Sequence, residues 1–262
     1  MKPLAAVTGA SAGLGAEFSR QLALRGYDLL LIARRAERLE RLASDLQARH
    51  GTQSEILTAD LTDDLQRGRV EERLAETNLD LLVNNAGFGS LGTFMKVPPL
   101  DGQDAMHRLH VLATMRLCRA ALTGMIERDR GGIINVSSVA AFAAAAGSVS
   151  YCATKAWMNF FTEGLFLELR LRSSHVRVQA LCPGYTRTEF HQTLNMDTSR
   201  IPGFLWLSAP RVVAESLAGF DRGKLFVIPG LRYRVLIGIY GLIPRSLRHA
   251  IALQNVKFRK PK

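Results

Sequence analysis

Tyr151 and Lys155 stand four residues apart in a stretch of helical pattern, so their side chains share one helix face. Ser138 lies upstream at the end of an apolar run, and a loop of small residues from Ala140 to Ser150 joins it to the pair. A phenol, an ammonium and a hydroxyl brought together suggest proton transfer to an oxygen. Near neutral pH a phenol with a pKa of ~10 exchanges protons poorly. Lowering that value by ~3 units takes about 4 kcal/mol, which one ammonium roughly 4 Å away supplies at an effective dielectric constant of ~20. Tyr151, tuned by Lys155, could then act as general acid or base on a carbonyl or alcohol oxygen that Ser138 aligns. A Tyr-x-x-x-Lys pair is a weak signal by itself, so the surrounding elements decide.

Those elements alternate. Apolar runs at Leu4–Val7, Tyr27–Arg34, Ser54–Asp60, Leu79–Val83, Gly132–Ser138, Val176–Cys182 and Lys224–Ile228 predict seven strands. Helical spacing marks Phe18–Leu24, Arg35–His50, Asp63–Thr77, Asp104–Arg128, Tyr151–Arg172 and Pro210–Phe220 between them. Repeated strand–helix units predict an α/β fold, a doubly wound parallel sheet of about seven strands with helices on both faces. With no linker or internal repeat, residues 1–230 read as one domain and 231–262 as a basic, apolar extension of it. Ligands of such sheets bind beyond the carboxyl ends of the strands, where Gly9–Gly15, Arg34, Asp60, Asn85, Ser138 and Pro183-Gly184 fall.

The stretch Thr8-Gly9-Ala10-Ser11-Ala12-Gly13-Leu14-Gly15 joins the first strand to the first helix. Gly9 allows a tight turn, Gly13 lets the backbone approach a pyrophosphate, and Gly15 lets the helix pack on the sheet. The helix start, with Ser11, Ala12 and Leu14 around it, offers unpaired N–H groups and a positive dipole end to a phosphate. Taken alone, the spacing also fits an ordinary glycine-rich βα loop. The second strand ends in Ala33-Arg34-Arg35 and carries no acid to accept a ribose 2′-hydroxyl. A guanidinium suits a 2′-phosphate instead, so NADP(H) is expected over NAD(H), the alternative being two arginines that merely open a charged helix. Asp60, followed by Leu61, could accept from the adenine amino group. Asn85 could bridge the turn to the cofactor or to a neighbouring strand.

At 262 residues the chain suits one α/β domain with a large core. Its net charge of +11 is unevenly placed: Arg222–Lys262 holds ten basic residues and no acidic one, leaving 24 basic against 23 acidic elsewhere. Such a tail fits an acidic partner, an anionic membrane surface or a solvated terminus. Without a recognition helix, a zinc finger or an aromatic-interleaved basic groove, nucleic acid is not expected. Cys118, Cys152 and Cys182 fit neither disulfide nor zinc spacing, so no metal and a reducing, cytoplasmic compartment are expected. The apolar run before Ala10 is too short for a secretory signal.

Together the motifs Thr8–Gly15, Asn84–Gly87 (NNAG), Ser137-Ser138, Tyr151–Lys155 (YCATK) and Pro183-Gly184 with Thr188 resemble, in order, those of the short-chain dehydrogenase/reductase family over residues 4 to about 230. The resemblance implies a Rossmann fold, NAD(P)-dependent oxidoreduction and Tyr151 as acid/base. It places Lys155 on Tyr151 and the nicotinamide ribose, Ser138 on the substrate, and Ala86, Gly87, Pro183 and Gly184 in the cofactor site. Thr186 and Thr188 would lie near the carboxamide or pyrophosphate. It also implies a homodimer or homotetramer paired through Asp104–Arg128 and Tyr151–Arg172. One departure stands out. The string Leu109-His110-Val111 occupies a place where the family usually carries an Asn that holds a water linking the lysine to solvent. His110, titratable near neutrality, could hold that water or relay protons, pack without a role, or mark a weakened enzyme.

Residues 189–209 would form the substrate lid. Met196, Ile201, Phe204, Leu205, Trp206 and Leu207 suggest an apolar or amphipathic carbonyl or alcohol: a lipid-like ketone, a 3-oxoacyl group, a steroid or a generic aldehyde. The same side chains could instead pack on a partner or the core. Val235–Ile243 is too short and glycine-broken to span a bilayer. Flanked by Arg232, Arg234, Arg245 and Arg248, it could lie in a membrane interface, cover the pocket or meet another subunit, the last two being favoured. The competing function is a non-catalytic nucleotide-sensing module on the same fold.

Overall fold

The computed structural model describes residues 2–90, 92–95, 100–190 and 201–257. Its strands are β1 (Leu4–Thr8), β2 (Asp28–Ala33), β3 (Ser54–Thr58), β4 (Leu81–Asn84), β5 (Gly132–Val136), β6 (Arg177–Leu181), β7 (Thr186–Arg187), β8 (Leu207–Ser208) and β9 (Phe226–Val227). Seven of them form one sheet in the order β3-β2-β1-β4-β5-β6-β9, while β7 and β8 pair separately. All recorded pairings in the large sheet are parallel, as in Ala6 opposite Leu30 and Leu82. The order reverses between β1 and β4, which opens the crevice where a Rossmann sheet takes its ligand. The seven expected strands are therefore all present.

Helices α1 (Gly13–Leu24), α2 (Ala36–His50), α3 (Asp64–Ala75), α4 (Leu100–His107), α5 (Thr114–Glu127), α6 (Val149–Leu171) and α7 (Ala209–Asp221) cover the sheet. Successive strand residues point to opposite faces, so each strand feeds two cores. Val7, Leu29 and Leu31 pack with Phe18, Leu22, Leu39 and Val213 on one side. Ala6, Leu30 and Ile32 pack with Val70, Leu74, Leu117 and Met125 on the other. Cys118, Cys152 and Cys182 are buried free thiols.

The long helix expected over 104–128 is broken by a π-helical turn, Arg108–Ala113, between α4 and α5. Residues Gly102–Glu127 are long and apolar enough to cross a membrane by composition, yet Leu117, Ala121 and Met125 of that stretch lie in the protein core. Beyond the last strand the chain continues as α8 (Leu231–Leu242) and α9 (Arg245–Lys257).

Candidate active site

A cavity of about 960 Å³ opens at the carboxyl ends of β1, β2, β4, β5 and β6. It is lined by Gly9, Ser11, Ala12, Gly13, Leu14, Arg34, Arg35, Asp60, Leu61, Asn85, Ala86, Gly87, His110, Ser138, Tyr151, Lys155, Pro183, Gly184, Thr186 and Thr188. Of the residues expected at the site, Gly15 alone is not on this wall. It packs underneath: a Cβ there would stand 2.2 Å from the Gly9 carbonyl oxygen and 2.5 Å from Asn85 Nδ2. Only a bare α-carbon lets α1 approach the turn so closely.

The glycine turn fits the pyrophosphate of a dinucleotide. Gly13 has a φ of +56°, and a Cβ on it would reach Thr188 at 3.3 Å. Among the described residues, no side chain caps the start of α1 and no acid occupies its first turn, so the N–H groups there remain available to an anion. Thr8 and Asn85 shape the turn from below. Asn85 Nδ2 donates to the Thr8 carbonyl at 2.9 Å, and the Asn85 and Ala86 N–H groups donate to Thr8 Oγ1 at 2.9 and 3.0 Å. The bridge from Asn85 to the neighbouring strand is therefore made, and Asn85 also lines the cavity.

The β2 end divides its arginines. Arg34 is exposed and lies 3.5 Å from Asp60. Burial would raise the Asp60 carboxyl, but hydrogen bonds from the Thr62 N–H and hydroxyl, with Arg34 nearby, hold it below the ordinary value. Arg35 donates through Nε and Nη2 to Ser11 Oγ at 3.2 and 3.1 Å, which places its guanidinium over the glycine turn. Two residues unforeseen from the sequence complete this corner. Arg38 donates to Glu189 at 2.7 Å, and Arg35 reaches the same carboxylate at 3.3 Å. The hydrogen bond from Arg38 keeps the Glu189 carboxyl below its usual range. The sequence signal for Arg38 was its place one turn beyond Arg34 on α2; nothing local marks Glu189.

At the other side, Ser138 caps a short 3-10 turn, its Oγ accepting from the Ala140 N–H at 3.1 Å. The same hydroxyl lines the cavity with the Tyr151 phenol, and its presence favours the phenolate. Lys155 is buried and donates to the Val136 carbonyl at 2.7 Å. Its Nζ lies 5.9 Å from the Tyr151 ring centre. The coupling expected between the two is therefore altered. Burial pushes the phenol up to about 12, against the smaller influence of the Ser138 hydroxyl, and pulls the ammonium down to about 8. Loss of hydration sets both shifts, and the Lys155 ammonium, directed at the Val136 carbonyl, does not offset it at Tyr151. The chain alone thus holds Tyr151 as a protonated phenol, the form that can donate to an oxygen.

His110 is fully buried in the π-helical turn. Its Nε2 accepts the Phe88 N–H at 3.2 Å. That leaves the proton on Nδ1, which meets Thr154 Oγ1 at 3.0 Å, and Thr154 donates in turn to the Tyr151 carbonyl at 3.1 Å. Burial, with Lys155 and His107 nearby, holds the imidazole well below its ordinary pKa, so it is neutral. His110 ties the loop after Gly87 to the helix carrying Tyr151. A Cβ on Gly87 would lie 2.8 Å from its Nε2, so Gly87 gives the ring its room.

Tyr233 of α8 closes the site from the far side. Its hydroxyl accepts the Tyr185 N–H at 2.9 Å and donates to the Leu205 carbonyl at 2.7 Å. Its ring lies flat on Gly184, where a Cβ would fall 2.0 Å from Cζ. Ala140, Ala143, Ala145, Tyr185, Phe190 and Leu236 give the cavity an apolar wall. Met196 and the rest of 191–200, within the expected lid, lie outside the described residues.

A family model for the short chain dehydrogenases matches residues 3–199. The chain belongs to that family. It is similar to a short-chain dehydrogenase from Sphingobium yanoikuyae solved with NADPH, at 35% identity and a TM-score of 0.83, over 93% of this chain and 97% of that one. It is also similar to a bulky-bulky ketone specific alcohol dehydrogenase from Comamonas testosteroni, at 34% identity and a TM-score of 0.78, over 93% and 96% of the two chains. A very-long-chain 3-oxoacyl-CoA reductase of Anas platyrhynchos is 32% identical over 71% of this chain, a match that spans 60% of that relative's length. The chain thus has the fold that its motifs implied, within a family of dehydrogenases.

Proposed function

We propose that this dehydrogenase reduces the carbonyl of an apolar substrate, a bulky ketone, 3-oxoacyl group or steroid-like molecule, with NADP(H) as the preferred cofactor. The observation that carries this reading is that Ser138, Tyr151 and Lys155 line the same cavity as an uncapped helix start and the Arg35–Ser11 corner. Gly9, Gly13 and the α1 N–H groups would hold the pyrophosphate, Arg34 and Arg35 the 2′-phosphate, and Asp60 and Leu61 the adenine. Bound there, a reduced nicotinamide supplies a hydride to the carbonyl carbon. Ser138 aligns the carbonyl oxygen, and Tyr151 gives it the phenolic proton. Lys155 stands behind the phenol as a cation that favours the phenolate left once that proton has gone. His110 keeps both ring nitrogens engaged and acts by positioning Tyr151, not as an acid.

The apolar wall around Ala140 to Ala145, Phe190 and Leu236 supports a substrate with bulk on both sides of its carbonyl. The names of the Comamonas and Anas relatives point the same way. Exposed Met115, Phe160, Leu167 and Leu171 on α5 and α6 support a homo-oligomer paired through those helices. The free buried thiols suit a reducing, cytoplasmic setting. A panel of apolar ketones, assayed by loss of reduced-nicotinamide absorbance with NADPH and with NADH, tests the reading. Turnover of bulky ketones, faster with NADPH, is expected; a preference for small polar carbonyls or for NADH contradicts it.

A further inference from the structure

Helix α8 is apolar on both sides. Tyr233, Leu236 and Ile237 face the cavity. Leu231, Val235, Ile239 and Leu242 recur at helical spacing on the opposite side and are 65%, 50%, 56% and 86% exposed. A helix covering a water-soluble protein carries polar groups outward, and one that is apolar all round is covered by something. Phe204, 59% exposed, extends the face, held beside α8 by Arg232, which donates to the Phe204 carbonyl at 2.9 Å and stacks over its ring. Leu247 and Leu253 of α9 are exposed as well.

The charges around this face select its occupant. Arg232, Arg234, Arg245 and Arg248 belong to the same two helices, Arg232 stacked on Phe204 and Arg248 on Tyr240, with Glu215 of α7 the acid near Arg234, and the chain has no Asp or Glu after Asp221. A second copy seated by two-fold symmetry would bring arginine rows against each other. An anionic lipid surface satisfies both features, taking the aliphatic stripe among its acyl chains and the guanidiniums among its phosphates. We propose that α8 and α9 form a docking surface for an anionic phospholipid bilayer, on which the protein rests as a peripheral enzyme. Leu236 is half-exposed and also lines the cavity, so the active-site mouth opens beside the docked face. Resting on the carbonyl-reductase reading above, this geometry makes the substrate a ketone dissolved in the membrane, entering along α8.

Flotation of the whole protein with phosphatidylglycerol–phosphatidylcholine vesicles, at low and high salt, tests the surface. Binding at low salt that falls at high salt, and is weak on phosphatidylcholine alone, is expected. Each arginine at such a surface contributes about fivefold to partitioning, so removing both Arg234 and Arg245 as glutamines should weaken binding roughly 25-fold. Ile239→Asp with Leu242→Asp should abolish it while leaving turnover of a water-soluble ketone unchanged and slowing that of a vesicle-dissolved one. No flotation at low salt overturns the proposal. So does a face covered by a second copy, seen as those substitutions changing the sedimenting mass with no lipid binding in the wild type. Flotation without reduction of any ketone would leave the lipid surface standing and refute the substrate reading alone.

Discussion

Acidification should weaken this protein through His110, and the size of the effect follows from its surroundings. In the folded chain both ring nitrogens are engaged and the imidazole resists protonation well below the ordinary 6.5. In the unfolded chain it titrates normally. Below about pH 6.5 the unfolded state therefore binds a proton that the native state refuses, and stability falls as pH falls. The slope approaches about 1.4 kcal/mol per pH unit, so roughly 1.4 kcal/mol is lost between about pH 7.5 and 5.5 from this one group. Urea unfolding of wild type and His110→Asn at those two pH values isolates it, because every other titration is common to both. The variant should begin less stable, having lost two buried partners, and should lack this share of the acid sensitivity. Equal pH dependence in both proteins would refute the neutral, doubly bonded imidazole. So would a limb of the kcat/KM profile that moves when His110 is replaced.

Arg34→Glu and Arg35→Glu should each weaken NADPH at least tenfold more than NADH; equal loss for both cofactors would remove the arginines from a 2′-phosphate site. Glu189→Gln withdraws the carboxylate that engages Arg35 and Arg38, so NADPH affinity should rise roughly fivefold, worth about 1 kcal/mol, with NADH unmoved in the same titration. Tyr233→Phe strips the acceptor from the Tyr185 N–H and the donor from the Leu205 carbonyl, at a cost of about 1–3 kcal/mol and a thermal midpoint lower by several degrees. An unchanged midpoint would mean that the loop after Gly184 does not depend on α8.

The parts of this fold written locally were legible beforehand. The apolar runs mark all seven sheet strands because parallel strands buried on both faces read as continuous hydrophobic stretches. The glycine turn, Ser138 and the Tyr151–Lys155 pair are visible because their spacing is itself the geometry. Features that depend on distant partners were not. The π turn around His110 exists between Phe88 and Thr154, residues far from it in the chain. Glu189 meets Arg38 across 151 positions, and no pattern near either announces the other. The reversal of the Tyr151 shift came from burial, which residue spacing does not encode. Helix α8 was hidden by Gly238 and Gly241 and by apolar residues lying on two faces, so no single period emerged.

Delivery of the proton to the substrate oxygen by the Tyr151 phenol is the step on which the proposed chemistry rests. Tyr151→Phe keeps the ring and its packing against His110 and removes only the phenolic hydroxyl. Steady-state turnover of a bulky ketone, measured beside NADPH binding by fluorescence titration, decides the matter. A fall in kcat of roughly 10²–10⁴-fold with NADPH affinity unchanged is expected. Turnover within a few-fold of the wild type would contradict it.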